Sequence, residues 1–563
     1  MVAGASLAAV ASGTNASCEP GEPASAWPWT YGDEADHQEM ILHAKSIVGD
    51  DAVCTEPDEL EAFMKDPYSF HTSAHSPAAV VAVQSTQQVS QLMAQAHKLR
   101  IPVIAAGSRT ALEGHCLPQH RGIVLDLSGM REVLRYDPVS MDATVQPGIS
   151  WNELNEWLAA TSSLQVAAEP APGCCKHANS AKPGSSKLFF PVDPGPGASI
   201  GGMASTGCSG TNAVRYGTMK AWVLGLTAVL ADGTVVRTGT RARKCAAGYN
   251  LTELLVGSEG TLGVVTEVTV KLAPVPPATA VLTVHFQDVR SACRAVHALQ
   301  QAAVPMQAVE LLDSWAMRGV TLGSGLPVQP RPALFIKLSG SDAVVEHTLA
   351  QASDIVAQCG GDSVRAESST EGVAKLWQAR KVALWDAPML REHFSDSGEP
   401  LAHQATGASS DTEVWITDVC VPLAHLPDVA QQAVESAHKH GLLAPLVAHA
   451  GDGNIHTFML IEKGNAAQAA AAAKANAELV KAAQAVGGTC TGEHGVGSGK
   501  RYALPAEIHG PALALQASIK AGLDSRGILN PGKVFPDVVM AAAKQQSTGS
   551  LAAAASAASA ASE

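Results

Sequence analysis

The sequence predicts an α+β protein in which a ligand-binding domain precedes a second domain of mixed α and β structure. Short apolar runs alternate with helical segments from Pro77 onward, and several loops of glycine and hydroxyl residues interrupt the first half. The composition changes after the proline cluster at 274–277, which marks the predicted domain boundary. A chain of 563 residues with 46% hydrophobic and 16% charged residues has room for two or three domains with a large buried core.

The predicted elements follow from hydrophobic spacing and from local start signals. Residues 38–66 show helical periodicity, with Ile41, Ile47 and Val48 as apolar positions, and an acidic stretch, Glu56–Glu61, begins a second helix. After Pro77 the patterns predict a strand at 80–83, a helix at 87–99 capped by Ser85, strands at 102–106, 123–127 and 143–145, a helix at 151–158, a hairpin turn at 232–233, and strands at 260–272, 281–286 and 333–338.

Composition excludes several classes of partner. The net charge is −14 and no basic block is present, so the sequence argues against a nucleic-acid partner. Aromatic residues make up only 4%, which argues against stacking platforms for bases. The eleven cysteines form no C-x-x-C pair, so neither a zinc ribbon nor an iron–sulfur cluster is predicted. No apolar run reaches the length of a transmembrane segment.

Three segments are expected to be peripheral. The apolar, small-residue N-terminus lacks early basic residues, because the first one is Lys45, and it reads as a disordered tail or the remnant of a trimmed transit peptide. The Ala/Ser-rich stretch after Met540 is expected to be disordered. Residues 170–187, rich in proline, glycine and serine, are expected to form an exposed inserted loop.

Gly-rich loops in the first half indicate a long, phosphate-bearing ligand. Residues 107–115 follow a predicted strand, and their backbone N–H groups and hydroxyls could cradle a pyrophosphate. This loop is neither G-x-G-x-x-G nor a Walker A sequence, and by itself it could be a plain turn. Similar glycine and hydroxyl loops recur at 193–195, 201–206, 209–212 and 257–263.

Two patches in the second half contain potential metal ligands. His449 and His456 are the first and last residues of the run HAGDGNIH. Glu493 and the adjacent His494 lie in TGEHG. Two imidazoles and one carboxylate leave coordination positions open on a divalent metal, as catalytic sites require. The alternative is that these histidines are ordinary core residues whose hydrogen bonds are made within the protein. Glycine and polar residues around both patches favour a functional site.

Longer ordered motifs resemble a known family. The run 189–195, then SGTNAVRYG at 209–217 and VLGL at 223–226, together with HAGDGNIH, TGEHGVGSGK and ILNPGK at 528–533, are similar to the vanillyl-alcohol-oxidase-type flavoproteins. Within that family the chain resembles the branch of D-lactate dehydrogenases linked to cytochrome or quinone and of glycolate oxidase subunits. The resemblance spans about residues 40–536.

The resemblance implies a fold and a domain organisation. It implies a PCMH-type FAD-binding domain of two α+β subdomains and an α/β substrate cap with an antiparallel sheet. The implied segments are a tail at 1–37, the FAD-binding domain at 38–275, the cap with its metal site at 276–525, a return segment to the FAD-binding domain at 526–540 and a second tail at 541–563.

The resemblance also implies which residues bind FAD. Some relatives tether the flavin through a histidine, and the matching position here is Thr110, so non-covalent FAD is expected; His115 is the alternative tether, although a positional role suits it better. The implied cofactor residues are Ala106, Gly107, Ser108, Arg109, Thr110, Leu112, Glu113, Gly114, His115, Pro191, Asp193, Gly201, Gly202, Ala204, Ser205, Ser209, Gly210, Thr211, Tyr216, Gly257, Glu259, Gly260, Gly263, Val264 and Asn530.

The implied chemistry is oxidation of D-lactate to pyruvate. Arg380 would bind the substrate carboxylate and His494 would accept the hydroxyl proton. One divalent metal, Zn²⁺ or Mn²⁺, held by His449, His456 and Glu493, would polarise that hydroxyl. Electrons would pass to external cytochrome c or quinone. Glycolate or another D-2-hydroxy acid as substrate, O₂ as acceptor, and a non-catalytic flavin-binding subunit are the alternatives.

Three apolar positions bear on the substrate. Relatives that act on D-2-hydroxyglutarate place polar or basic residues where this chain has Leu384, Ile416 and Phe458. A second carboxylate buried there would lack a partner, so a monocarboxylic substrate is expected.

A mitochondrion or a chloroplast is the expected location. The oligomeric state stays open, with a homodimer as one option.

Overall fold

The computed structural model describes residues 27–165, 187–324, 329–401 and 407–546. The expected inserted loop at 170–187, apart from its last residue, lies outside the described residues. So do the outer parts of both expected tails.

The first subdomain is a four-stranded sheet that carries the first Gly-rich loop. Ser85 caps the third helix by accepting a hydrogen bond from Gln88 N, as predicted. The strand order is β1-β2-β4-β3, and the last three strands are parallel. The elements are α1 (Glu34–Val48), β1 (Val53–Cys54), α2 (Pro57–Glu61), β2 (Ala79–Ala82), α3 (Thr86–Leu99), β3 (Val103–Ala106) and β4 (Ile123–Asp126). The loop after β3 therefore leaves the carboxyl end of a buried strand, where parallel sheets bind ligands.

The second subdomain is a five-stranded antiparallel sheet in the order β5-β6-β10-β8-β9. The predicted hairpin turn is present, because Gly233 adopts a φ of 89° and Leu230 N bonds to Thr234 O. The elements are β5 (Val133–Asp137), β6 (Asp142–Val145), α4 (Trp151–Gln165), β7 (Leu188–Phe189), α5 (Ile200–Thr206), α6 (Ala213–Tyr216), α7 (Met219–Trp222), β8 (Val223–Val229), β9 (Val235–Gly239), α8 (Leu251–Leu255), β10 (Val264–Lys271) and β11 (Ala273–Pro274).

The chain enters a different sheet after Pro277. This eight-stranded sheet has the order β15-β12-β14-β13-β18-β19-β16, with β17 also paired to β19, and its pairs are antiparallel. The elements are β12 (Ala278–His285), α9 (Val289–Gln301), β13 (Met306–Leu312), α10 (Ser314–Ser324), β14 (Ala333–Gly340), α11 (Asp342–Gln358), β15 (Asp362–Glu367), α12 (Thr370–Lys381), α13 (Ala383–Asp386), β16 (Thr412–Ile416), β17 (Val419–Cys420), α14 (Leu426–Lys439), β18 (Leu446–His449), β19 (Asn454–Glu462), α15 (Ala466–Ala485), α16 (Leu504–Glu507) and α17 (Gly510–Leu523).

The C-terminal part of the chain returns to the first subdomain. Leu529 forms a parallel bridge with Val103 beside β3, so the return segment lies against the first Gly-rich loop. The last helix is α18 (Asp537–Gln546). Among the described helices, none has both the length and the apolar character needed to cross a membrane.

The folded part of the chain extends beyond both expected tail boundaries. The boundary at residue 38 falls inside α1, which begins at Glu34 because Asp33 caps it and accepts from Ala35 N and Asp36 N. Trp29 is buried and donates to Ser525 O. The boundary at 541 falls inside α18, where Ala543 is buried against the cap core. Hydrophobic contacts between the two ends of the chain, which periodicity cannot reveal, extend the folded unit.

Candidate active site

The two predicted histidine ligands lie on a β-hairpin. His449 ends β18 and His456 lies on β19, which is paired antiparallel to β18. Gly453 in the connecting turn has a φ of 80°, and a Cβ on it would lie 2.1 Å from Val421 O. Glycine is therefore required there, and the tight turn brings both imidazoles to the same side of the cap sheet.

A buried carboxylate holds the loop that carries Glu493. Asp418 Oδ2 accepts from Thr491 Oγ1 at 2.7 Å and from the backbone N–H groups of Gly492, Glu493 and His494 at 2.8–3.1 Å. Burial opposes ionisation of Asp418, but nearby His494 and Lys500 hold its pKa below the ordinary value. Asp418 thus has a structural role beside the site.

The structure brings the three predicted metal ligands together. Glu493 Oε1 lies 3.2 Å from His449 Nε2 and 3.3 Å from His456 Nε2. The other ring nitrogen, Nδ1, faces an acceptor in both histidines. His449 Nδ1 lies 2.8 Å from Glu310 Oε1, and His456 Nδ1 lies 2.9 Å from Thr417 O. With Nδ1 protonated in both rings, both Nε2 lone pairs face Glu493. This arrangement fits a divalent cation held by two imidazoles and one carboxylate.

The same cluster has strongly shifted acid–base equilibria. Burial would lower the pKa of His449, but the carboxylates of Glu310 and Glu493 hold it well above the ordinary value. Burial would raise the pKa of Glu493, but His449 and His456 hold it well below the ordinary value. A concentration of buried charge of this kind is typical of a functional site.

His494, the predicted base, lies next to this cluster. Its ring stacks on that of His456, with centroids 5.1 Å apart. Burial is the main cause that lowers the pKa of His494, and His456 adds to it. Its Nδ1 is buried and has no hydrogen-bond partner among the described residues. A neutral imidazole with a free ring nitrogen can accept a proton from a substrate in the cavity that it lines.

A cavity of about 570 Å³ joins the Gly-rich loops of the first domain to Glu493 and His494. Of the residues expected to bind FAD, fourteen line it: Ala106, Gly107, Ser108, Arg109, Thr110, Leu112, His115, Gly201, Gly202, Ser205, Glu259, Gly260, Gly263 and Asn530. The two sets of motifs, far apart in sequence, therefore face one enclosed space.

The cavity fits a flavin nucleotide in its backbone and polar groups. A Cβ on Gly107 would lie 2.6 Å from Ser199 Oγ, and one on Gly201 would lie 2.4 Å from Pro147 Cβ, so both loops need glycine. Asn530 Nδ2 donates to His115 O and Glu259 O, whereas its buried Oδ1 has no partner among the described residues. An acceptor left open at the cavity wall suits a ligand that donates hydrogen bonds.

The remaining expected cofactor residues do not line the cavity. Glu113 contacts Lys500 at 3.0 Å and its carbonyl accepts from Ser498 N. Asp193 accepts from Thr211 Oγ1 at 2.6 Å. This group comprises Glu113, Gly114, Pro191, Asp193, Ala204, Ser209, Gly210, Thr211, Tyr216, Gly257 and Val264. The polar side chains of Glu113 and Asp193 are bound to protein partners in this structure.

Arg380 also differs from the expectation. It lies on α12 and does not line the cavity; its Nε donates to Glu310 Oε2 at 2.7 Å, and its Nη2 contacts the same oxygen. The arginine is therefore bound to the carboxylate that also holds His449. Glu310 was not among the predicted site residues, although an acidic side chain in the mostly apolar strand β13 is a signal of such a site.

Several apolar side chains of the cap also line the cavity. Leu384, Trp385, Val414 and Ile416 line it on the cap side. Phe458 does not reach the cavity but lies opposite Ile416 in the β16–β19 pair. Two of the three positions singled out for substrate size therefore face the cavity, and the third supports one of them.

Contacts between the first domain and the cap beside the cavity were not predicted. Lys65 Nζ lies 3.1 Å from Glu413 Oε1, and the Phe70 ring stacks on Trp415 at 5.3 Å. The segment 65–70, which carries the first-domain side of these contacts, falls where the predicted helices end, and it has no periodic pattern that would have identified it.

Comparisons with known proteins place the chain in a family. Residues 275–534 match the C-terminal domain of FAD-linked oxidases, and residues 77–178 and 182–239 match an FAD-binding domain. The chain is 36% identical to the mitochondrial D-lactate dehydrogenase (cytochrome) of Arabidopsis thaliana, covering 89% of this chain and 80% of that protein. It is 30% identical to glycolate oxidase subunit GlcD of Bacillus subtilis, covering 82% and 89%.

A solved structure shows the same fold. The 4-ethylphenol oxidase of Gulosibacter chungangensis superposes with a TM-score of 0.68 at 17% identity, covering 90% of this chain and 99% of that one. The α+β, vanillyl-alcohol-oxidase-type fold implied by the motifs is confirmed. The chain carries an FAD-binding domain and belongs to the family of FAD-linked oxidases that contains the cytochrome-linked D-lactate dehydrogenases and the glycolate oxidase subunits.

Proposed function

We propose that this protein oxidises D-lactate to pyruvate at the end of the cavity where Glu493 and His494 meet the FAD-binding loops. The observation that carries the proposal is this shared cavity, together with the similarity to D-lactate dehydrogenases (cytochrome) over most of the chain. Bound FAD would supply the two-electron acceptor and allow one-electron delivery to an external protein or quinone.

His494 is proposed to accept the hydroxyl proton of the substrate. Its lowered pKa keeps the ring neutral, and the hydrogen bond from its backbone N–H to Asp418 fixes the position of the residue. A divalent metal, Zn²⁺ or Mn²⁺, at His449, His456 and Glu493 would lower the pKa of that hydroxyl. Loss of the proton and of the Cα hydride from lactate then leaves the ketone of pyruvate.

Leu384 and Ile416 are proposed to contact the substrate methyl group. Both are apolar and line the cavity. Each buried carbon contributes about 0.8 kcal/mol, whereas a second unpaired carboxylate would cost several kcal/mol. D-lactate and D-2-hydroxybutyrate are therefore expected to be good substrates, and D-2-hydroxyglutarate a poor one.

Glycolate is the second candidate substrate, because the relative from Bacillus subtilis is named a glycolate oxidase subunit. The missing methyl group predicts a weaker reaction with glycolate than with D-lactate.

Anaerobic mixing of the FAD-loaded protein with each substrate tests the proposal. D-lactate should bleach the flavin absorbance fastest, glycolate should follow, and L-lactate should leave the flavin oxidised. A preference for D-2-hydroxyglutarate would contradict the assignment of the apolar pocket. Reoxidation of the reduced protein by cytochrome c, a quinone analogue or air then identifies the acceptor class.

Two further features belong to the proposal. Non-covalent FAD follows from Thr110 at the position where a tethering histidine would lie, and acid precipitation should release all of the flavin. A mitochondrial location is supported by relatives named mitochondrial, with the chloroplast as the alternative. Imaging of the fluorescently tagged full chain in its native cell would distinguish the two organelles.

A further inference from the structure

A fully buried carboxylate lies between two parts of the proposed active site. Glu310 is on β13, and its relative exposure is 0%. Its Oε1 lies 2.8 Å from His449 Nδ1, and its Oε2 accepts from Arg380 Nε at 2.7 Å. A buried carboxylate without partners would be very unfavourable, and here its two partners are a proposed metal ligand and an arginine of the cap.

Strand register fixes one of these contacts and helix packing fixes the other. Glu310 lies directly opposite His449 in the β13–β18 pair. Arg380 reaches Glu310 from the last turn of α12, where its side chain is only 11% exposed. Three elements of the cap therefore converge on one carboxylate.

The geometry leaves one edge free on each partner. By accepting the Nδ1 proton of His449, Glu310 leaves the Nε2 lone pair facing Glu493. By engaging Nε and Nη2 of Arg380, it leaves Nη1, which has no hydrogen bond within the described part of the chain. Arg380 does not line the cavity, so its charge acts on the site through Glu310.

We infer that Glu310 is a positioning residue that orients the proposed metal ligand His449 and couples it to the charge of Arg380. This inference rests on the proposed function of the same site. It predicts opposite effects of the two partners on metal binding, because Glu310 contributes negative charge and Arg380 opposes it. A purely structural role would not produce effects of opposite sign.

Zn²⁺ titration of the FAD-loaded, metal-stripped protein against a chromophoric chelator tests this inference without any turnover. Glu310→Gln should weaken Zn²⁺ binding about 10- to 100-fold, the range found for residues that orient metal ligands. Its amide can accept from only one of the two donors. Arg380→Gln should tighten Zn²⁺ binding, because it removes the positive charge that opposes the negative charge of Glu310.

Asp313→Asn is the matched control, because Asp313 is the next buried acidic residue after Glu310 and caps α10 instead of contacting the site. Its Zn²⁺ affinity should equal that of the parent. Glu310→Asp, which keeps the charge with a shorter reach, should give an intermediate affinity and replaces Glu310→Gln if that variant loses FAD. Arg380→Lys similarly replaces Arg380→Gln and should leave the Zn²⁺ affinity near that of the parent.

The outcomes separate this inference from the proposed function. If the parent binds Zn²⁺ and Glu310→Gln binds it equally well, the positioning role is wrong while the proposed function stands. Weakened binding in Asp313→Asn as well would show general damage to the sheet and overturn the inference. A parent that binds no divalent metal would overturn both the metal site and the role of Glu310. A parent that binds Zn²⁺ normally but is not reduced by D-lactate would overturn the proposed substrate alone.

Discussion

Ser209 Oγ lies 2.7 Å from Glu493 Oε2, so a hydroxyl of the FAD-binding domain donates a hydrogen bond to a proposed metal ligand of the cap. Glu493 Oε1 meanwhile faces both histidines. The two oxygens of one carboxylate thus have separate tasks, and the orientation of the metal-facing oxygen depends on contact between the two domains.

Ser209→Ala should therefore weaken metal binding without loss of FAD. Hydrogen bonds to charged groups contribute about 1.5–3 kcal/mol, which corresponds to a loss of about tenfold or more in affinity. Metal content after dialysis against graded chelator measures the effect. Ser150→Ala is the control. It removes a hydrogen bond of 2.9 Å between Ser150 and Glu153, neither of which lines the cavity. Equal metal retention in both variants would show that the Ser209 contact is irrelevant to the site.

Chelation should abolish turnover while the flavin stays bound. The proposed metal ligands and the loops that line the flavin cavity use different residues, except that Glu493 contributes to both. Flavin absorbance and D-lactate-dependent dye reduction, measured on the same chelated sample, check this separation. Added Zn²⁺ or Mn²⁺ should restore activity. Full activity in protein that elemental analysis shows to be free of divalent metal would exclude the metal role.

His494→Ala should reduce the rate of flavin reduction by D-lactate about 10²- to 10⁴-fold, the usual range for a positioned acid–base group. Substrate affinity should change much less, because the ring supplies proton transfer and not carboxylate binding. Anaerobic stopped-flow traces at several lactate concentrations separate the two quantities. The control is His425→Ala, whose side chain lies outside the cavity lining. A His494→Ala protein that is reduced at the parental rate would assign the base elsewhere.

The sequence predicted the proposed metal ligands because their spacing is short and their neighbours are distinctive. His449 and His456 lie on one hairpin. The glycines between them indicate a tight turn, which the structure contains. The cavity-lining loops were predictable for the same reason, since glycine and hydroxyl clusters such as 107–110 mark close backbone approach locally.

Contacts that depend on strand register or domain packing were not predictable. Glu310 and His449 are 139 residues apart, and Ser209 and Glu493 are 284 residues apart. Periodicity identifies each strand but does not say which residues of two distant strands lie opposite each other. Glu113 was assigned to the cofactor because it lies in a Gly-rich loop, whereas packing of the cap turns its side chain towards Lys500.

Ile416→Lys should shift substrate preference towards D-2-hydroxyglutarate. Ile416 lines the cavity, and a charge-assisted hydrogen bond to the second carboxylate would contribute about 1.5–3 kcal/mol. The ratio of kcat/KM for D-2-hydroxyglutarate to that for D-lactate should rise at least tenfold. Val344→Lys, at an exposed position on α11, controls for added charge. An unchanged ratio would place the substrate at another end of the cavity.

Asp313 should make the cap less stable as the pH rises from about 4 to 7. Burial raises the pKa of this carboxyl to about 7, against which its hydrogen bond from Ala316 N acts only in part. The folded state therefore binds one more proton than the unfolded state between the ordinary pKa of aspartate and about 7. Stability is lost over that interval at up to about 1.4 kcal/mol per pH unit and then levels off.

Asparagine at position 313 can still cap α10 but does not ionise, so Asp313→Asn should gain thermal stability relative to the parent as the pH rises to 7. Thermal midpoints of the FAD-loaded proteins at pH 5, 6, 7 and 8 measure the difference.

Asp288→Asn provides a control of opposite sign: this exposed cap of α9 accepts from Ser291 N at 2.6 Å, which lowers the pKa of Asp288. Its ionised form stabilises the folded state above the ordinary pKa of aspartate, so the Asp288→Asn variant should be less stable than the parent at neutral pH. That deficit should disappear as acid protonates the parent's carboxylate. Parallel pH profiles for Asp313→Asn and the parent would show that Asp313 is already ionised in the folded protein at pH 5.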